Sequence, residues 1–453
     1  MKRHHIIDLI GALFLLTLVV SGCTTGQASA TGPREKIVFC HEMTGPAAAQ
    51  LKQFASTFNA SQTKYQVVPE FEGTYNEAVQ KILQTHGTSA SPAVFQSMDV
   101  STSELYHAKV ATPMQHFIDA EHYDINQIAD VPRAFYSQGG NQISMPFNTS
   151  QPVLYYNASL LKRLGIQAPP KDPSYGDITA VAKQIQAKSK GKINGMTVEE
   201  YGWLFEQFMA NSNEHMANND NGRKGVPTAV NFDQPGAKKA MQWIQDNVKN
   251  KDIINFGSGS TAETNEMAAF LAGKLGIFMQ SSADISSLTA GTKDKLGICY
   301  FPHADGQKAN GVSIGGASVW ISNDKPKAVQ QGAWQFVKFL VSAKNQAVWE
   351  KVTGYMAINK RAKNEPVLKD LYAKRPMVAV PGQQLARTTP NICNSGVFME
   401  DVVQERMLTQ TAMQQVYNHG DIDKALKTAT DSMNAAITNN NKASGITKGG
   451  TGK

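Results

Sequence analysis

Apolar side chains recur along this chain in two alternating rhythms. Residues 37–40, Ile-Val-Phe-Cys, predict a short buried strand. From 47 to 59, Leu51, Phe54, Ala55 and Phe58 fall on helical spacing. Residues 65–71 alternate as a strand, 76–85 return to helical spacing and 93–97 read as strand again. The pattern resumes with a strand at 153–156 and helices at 159–164 and 178–189, which flank a rigid loop at 168–173 holding three prolines. Helices follow at 238–250, 264–272 and 330–342, with strands at 275–279 and 312–321. Residues 402–436 read as helical. The stretch 211–225, rich in Asn and Gly, predicts a loop, and the polar tail 439–453 predicts disorder. Strand and helix in alternation predict an α/β fold, with a mainly parallel sheet covered by helices.

One local device recurs. Apolar strands end or begin in small polar or glycine clusters at 147–150, 280–282 and 315–318. In open α/β sheets, ligands bind beyond strand ends, where backbone N–H groups point into a crevice. Three such clusters predict one shared cleft.

The chain has 453 residues, too many for one core at ~100–200 residues per domain, so two lobes are expected. The formal charge of +7 comes without a Lys/Arg cluster, which argues against a nucleic-acid partner. Lys2 and Arg3 precede an apolar run over 9–20, broken only by Gly11 and Thr17. That run is too short to span a bilayer of ~30 Å, so it reads as an export signal. The sequence Val20-Ser21-Gly22-Cys23 resembles a bacterial lipobox, which implies lipidation of Cys23 and a permanent membrane tether. The expected layout is a signal peptide over 1–22 and a flexible stalk over 23–36. Lobe 1 comprises 37–149 and 313–358, and lobe 2 comprises 150–312 and 359–438. Cys40, Cys299 and Cys393 remain, an odd number that permits at most one disulfide.

No catalytic constellation survives inspection. Gly311-Val312-Ser313-Ile314-Gly315 matches G-x-S-x-G, but the following residues continue as strand instead of turning into the required helix. Cys40-His41-Glu42 has no second cluster at metal-ligand spacing. Neither a phosphate-binding G-x-x-x-x-G-K-[ST] loop nor H-E-x-x-H occurs. The expectation is a binding protein, not an enzyme, with no cofactor or metal.

Over nearly the whole folded length, the chain resembles the extracellular solute-binding proteins of ABC importers, and more narrowly the UgpB-type glycerol-3-phosphate-binding group. The matching stretches are PFNTSQPVLYYN (146–157), SIGGASVWI (313–321) and VTGYMAINK (352–360), supported by FEGTY (71–75), APPK (168–171) and Gly202-Trp203. The resemblance implies two lobes joined by crossing hinge strands that close on ligand as a monomer and deliver it to permease subunits. It implies that Ser150, Ser281, the Gly316 N–H, Tyr355 and Arg406 meet the phosphate end. Tyr75 and Asp99 would meet the glycerol end, with Trp203 as an apolar wall. Hydroxyls, a glycine amide and a guanidinium suit phosphate oxygens, and an acid suits hydroxyl protons. The chain departs from the group in three places. Asp99 stands where Glu is usual, Cys40 replaces a bulky aromatic, and Glu200 or Tyr201 occupies the place of an aromatic ahead of Gly202-Trp203. The resemblance implies glycerol 3-phosphate as ligand; these changes spare the phosphate end but alter the other, which opens the site to a glycerophosphodiester such as glycerophosphocholine. A neutral oligosaccharide is the alternative.

Overall fold

The computed structural model describes residues 33–443; the leader with Cys23, the stalk up to residue 32 and the tail from 444 lie outside the described residues. Its strands are β1 (Glu35–His41), β2 (Tyr65–Phe71), β3 (Val94–Met98), β4 (Ala111–Thr112) and the small hairpin β5 (Ser137–Gln138) and β6 (Asn141–Gln142). These are followed by β7 (Met145–Ser150), β8 (Pro152–Asn157), β9 (Asn194–Thr197), β10 (Leu275–Ser281), β11 (Leu296–Cys299) and β12 (Gly315–Ser322). The first sheet runs β2-β1-β3-β12-β4, with β7 also paired to β12. The second runs β11-β8-β10-β9.

The expectation of a mainly parallel sheet is corrected. In the first sheet β1, β2 and β3 are parallel, but β12 runs antiparallel to β3, β4 and β7. In the second, β10 and β9 are parallel, while β8 is antiparallel to both β10 and β11. A local crossover helix forces neighbouring strands to be parallel. β8 and β12 arrive by crossing from the other sheet, so they escape that constraint.

Those crossings make two lobes. The chain leaves the first sheet at Ser150 and enters the second at Pro152, with Gln151 between them. There the Gln151 N–H donates to Ser282 Oγ (3.1 Å) and its carbonyl accepts from the Ser282 N–H (2.8 Å). The chain returns between β11 and β12, and the Met356 N–H then donates to the Thr149 carbonyl at 2.9 Å. Helices Gly45–Ser61, Lys327–Leu340 and Ala343–Thr353 bury Phe54, Trp334, Phe336 and Trp349 against the first sheet. Helices Gly202–Asn211, Pro235–Lys249, Val402–Tyr417 and Ile422–Ala443 build the core over the second. One C-terminal segment crosses back, placing Phe398 in the first lobe's core beside Phe95, Leu105 and Trp320. The buried Arg223 guanidinium holds this segment to lobe 1, donating to the carbonyls of Phe135, Ser137, Ser395 and Gly396.

Two further expectations change. The helical stretch over 402–436 is two helices, broken where His419 takes a left-handed φ of 61° and the Gly420 N–H caps back to the Gln415 carbonyl. The tail expected to be disordered from 439 continues the last helix to Ala443. Asn440 donates to the Asp401 carboxylate and Asn441 to the Pro227 carbonyl (3.2 Å), tertiary bonds that override a polar, low-propensity composition. Cys40, Cys299 and Cys393 are buried free thiols. No described helix is long and apolar enough to cross a membrane.

Candidate ligand-binding cavity

Between the lobes lies a cavity of about 460 Å³. Its floor is made by the three strand-end clusters: Ser150 at the end of β7, Ser281 at the end of β10, and Gly315 and Gly316 at the start of β12. Ser150 and Gly315 are direct partners across the sheet. The glycines are sterically required. A Cβ on Gly315 would lie 2.9 Å from Cζ2 of Trp203, and one on Gly316 (φ +102°) would overlap the Asn148 carbonyl. The small polar run before β8 is therefore the place where one lobe's backbone comes within reach of the other. Ser313 is buried, and the chain beyond it enters β12 rather than a helix.

Lobe 1 contributes Tyr75, Asp99 and Tyr355. Tyr75 opens the helix Tyr75–Thr85, whose entry is fixed by a capping box between Thr74 and Glu77. Asp99 begins the single turn after β3. Tyr355 stacks on Trp349 with ring centroids 6.3 Å apart. Asn148 sits between the two tyrosines, and burial pushes both phenols up.

Lobe 2 contributes Trp203 from the helix Gly202–Asn211 and Arg406 from the helix Val402–Tyr417. Gly202 lets those helices touch, since a Cβ there would overlap the Arg406 backbone. One turn further along, Glu206 grips the guanidinium. Its Oε1 accepts from Nε of Arg406, and its Oε2 accepts from Nη2 at 3.1 Å. Nη2 also donates to Asp99 Oδ2 at 2.8 Å, bridging the lobes. Burial opposes the Arg406 charge, but Asp99 and Glu206 outweigh it and hold the guanidinium protonated. Burial raises the Glu206 carboxyl against the pull of Arg406. This revises one expectation: Arg406 and Asp99, assigned to opposite ends of a ligand, are in direct contact, and Nε and Nη2 of the guanidinium are already engaged by carboxylates.

All eight residues assigned by resemblance thus line one cavity. The sequence reading missed Glu199, Glu206, Glu263 and Asp284, and it named Tyr201 and Gln280 without giving either a role. Tyr201 stands beside Trp203, centroids 5.9 Å apart, so an aromatic does fill the place ahead of Gly202. Gln280 Nε2 bridges Glu199 Oε2 (3.0 Å) and Glu266 Oε1 (3.1 Å). Burial, reinforced by the neighbouring carboxylates, raises Glu199 to about 7, Asp284 to about 7 and Glu266 to about 9. For Glu206 a signal existed, since it falls one helical turn beyond Gly202-Trp203 on the same face. For the other acids none did. Among the described residues, the grouping at metal-ligand spacing is Cys40, Glu70 and Glu72, none of which lines the cavity, and Lys81 already pairs with Glu72.

Known proteins share this architecture. UgpB from Mycobacterium tuberculosis in complex with glycerophosphocholine superposes with a TM-score of 0.72 at 16% identity, covering 90% of this chain and 99% of that one. The sugar-binding protein MalE from Xanthomonas citri gives 0.75 at 15% identity, covering 90% and 98%. In sequence, the sn-glycerol-3-phosphate-binding periplasmic protein UgpB of Yersinia pestis is 27% identical over 411 residues, 89% of this chain and 92% of the relative. These relatives are binding proteins, not enzymes. The profile of the bacterial extracellular solute-binding proteins matches residues 53–376, well over half the chain, and the protein belongs to that family.

Proposed function

We propose that this protein, tethered outside the cell through a lipidated Cys23, captures a glycerophosphodiester or glycerol 3-phosphate between its lobes and hands it to the permease of an ABC importer. The observation supporting this reading is the convergence of Tyr75, Asp99, Ser150, Trp203, Ser281, Gly316, Tyr355 and Arg406 on one interlobe cavity. Hydroxyls and the Gly316 amide suit phosphoryl oxygens, and the carboxylates suit the hydroxyl protons of a glycerol. No chemistry is involved. Ligand touching both lobes favours the closed form by its differential affinity.

Charge selects between the two ligands. A phosphate monoester carries about −1.5 to −2 at pH 7, whereas a diester carries one negative charge. Asp99 and Glu206 already share the guanidinium, and Glu199, Glu263 and Asp284 add further acid. That field favours the diester. The same acids beside Trp203 and Tyr201 also suit sugar hydroxyls and ring carbons, which supports a second reading, an oligosaccharide ligand. Isothermal titration of the purified protein with glycerophosphocholine, glycerol 3-phosphate and maltose separates these. The diester is expected to bind tighter than the monoester, with no heat from maltose. Binding of maltose alone would transfer the assignment to the sugar reading.

A further inference from the structure

Apart from Asp99, the acids that line the cavity have no basic partner among the described residues. Arg406 is the one basic side chain among the lining residues, and it is committed to Asp99 and Glu206. On the lobe 2 wall stand Glu199, Glu263 and Asp284. Glu199 lines the cavity and is only 5% exposed; Gln280 holds its Oε2, while its Oε1 has no hydrogen-bond partner among the described residues. Asp284 Oδ2 is likewise without a partner. Gln280, the neighbouring amide, cannot serve them further. Its Nε2 is divided between Glu199 and Glu266, and its Oε1 accepts from the Ser281 N–H at 2.8 Å. Buried carboxylate oxygens left unpaired are costly, so a ligand that supplies positive charge gains more here than on an open surface.

Two observations define the cation. Among the described residues, no three of these acidic oxygens approach within 4.8 Å of one another, which does not suit a directly ligated metal ion. Beside the acids stand two aromatic rings, Tyr201 and Trp203, inclined at 47° with centroids 5.9 Å apart. Diffuse negative charge over aromatic faces is what an organic ammonium group needs. We propose that Glu199, Glu263 and Asp284, with the faces of Tyr201 and Trp203, form a subsite for an ammonium group. The captured diester is then a zwitterion, its positive end on the lobe 2 wall and its phosphoryl group over Ser150, Ser281 and Gly316. This inference rests on the diester reading above.

The test compares two diesters that share the glycerophosphoryl unit and differ in the other arm: glycerophosphocholine, with a quaternary ammonium, and glycerophosphoglycerol, with hydroxyls only. By titration calorimetry the unmodified protein should bind the choline diester at least about tenfold tighter, the weight of one good cation–aromatic contact with its counter-charges. In Glu263→Gln/Asp284→Asn the ratio of the two affinities should fall towards one, whatever happens to either affinity alone. Affinities for the unmodified protein within about twofold of each other, or a ratio that survives the double substitution, overturn the subsite while leaving the diester reading standing. If neither diester binds, the diester reading itself has failed, and this inference with it. Should circular dichroism show the double variant unfolded, Asp284→Asn alone and the unmodified ratio decide.

Discussion

Removing the Arg406 side chain would leave the Asp99 and Glu206 carboxylates facing each other in a site where Asp99 is 6% and Glu206 8% exposed. Breaking one partner out of a buried ion-pair set costs about 3–5 kcal/mol, so Arg406→Ala should lower stability and binding together and cannot isolate a ligand contact. Glu206→Gln separates them. The amide oxygen can still accept from Nε, and one negative charge competing for the guanidinium disappears. Affinity for an anionic diester should rise about three- to tenfold, the scale of roughly 1 kcal/mol for a partly screened charge. Calorimetry on both proteins checks this. A loss of affinity would instead mean that the full Glu206 carboxylate is needed to aim Arg406.

Among elements, the helices that carried an apolar stripe, such as Gly45–Ser61 and Lys327–Leu340, were legible because one face is polar and sets the period. The helix Gly202–Asn211 was not, since each of its residues is buried and no polar face marks a phase. That helix carries Trp203 and Glu206, so the missed element is also where the site was least legible. The strand-end half of the cavity read well, because serines and glycines beside apolar strands leave a visible trace. Acidic residues on lobe 2 leave none, and the direction of β12 depends on where the chain comes from. Gly202 offers the test at this scale. In Gly202→Ala the added methyl overlaps the Arg406 backbone and forces the two helices apart. Overpacking of this kind costs about 1–3 kcal/mol, and here it also displaces the guanidinium. Urea denaturation should show the loss of stability, and titration should show weaker binding. Unchanged values in both would mean that the helices have slack at this crossing.

Across the whole molecule, buried acids set how stability varies with pH. Burial raises Glu42 and Glu266 to about 9, and Glu199, Asp284 and Glu350 to about 7. In an unfolded chain such carboxyls titrate near ~4. Between those values the folded protein keeps protons that the unfolded chain has released, so stability falls as pH rises, each group's share levelling off above its folded pKa. His41, lowered to about 4 by burial, opposes this, but only below its ordinary range near ~6.5. Above that point the acids act in one direction with the buried thiols of Cys40, Cys299 and Cys393. Burial also pushes these thiols up, so that they too keep protons the unfolded chain gives up. The melting temperature of the ligand-free protein should therefore decline steadily from pH 6.5 to pH 9, and scanning calorimetry across that range would show it. Three of the five acids belong to the lobe 2 wall or touch it through Gln280. A bound ammonium would favour their ionised forms, so saturating glycerophosphocholine should flatten the decline, whereas glycerophosphoglycerol, an anion without that counter-charge, should raise the curve without flattening it. A melting temperature that is level or rising over this range without ligand would mean that these carboxyls are ionised and solvated in the folded protein.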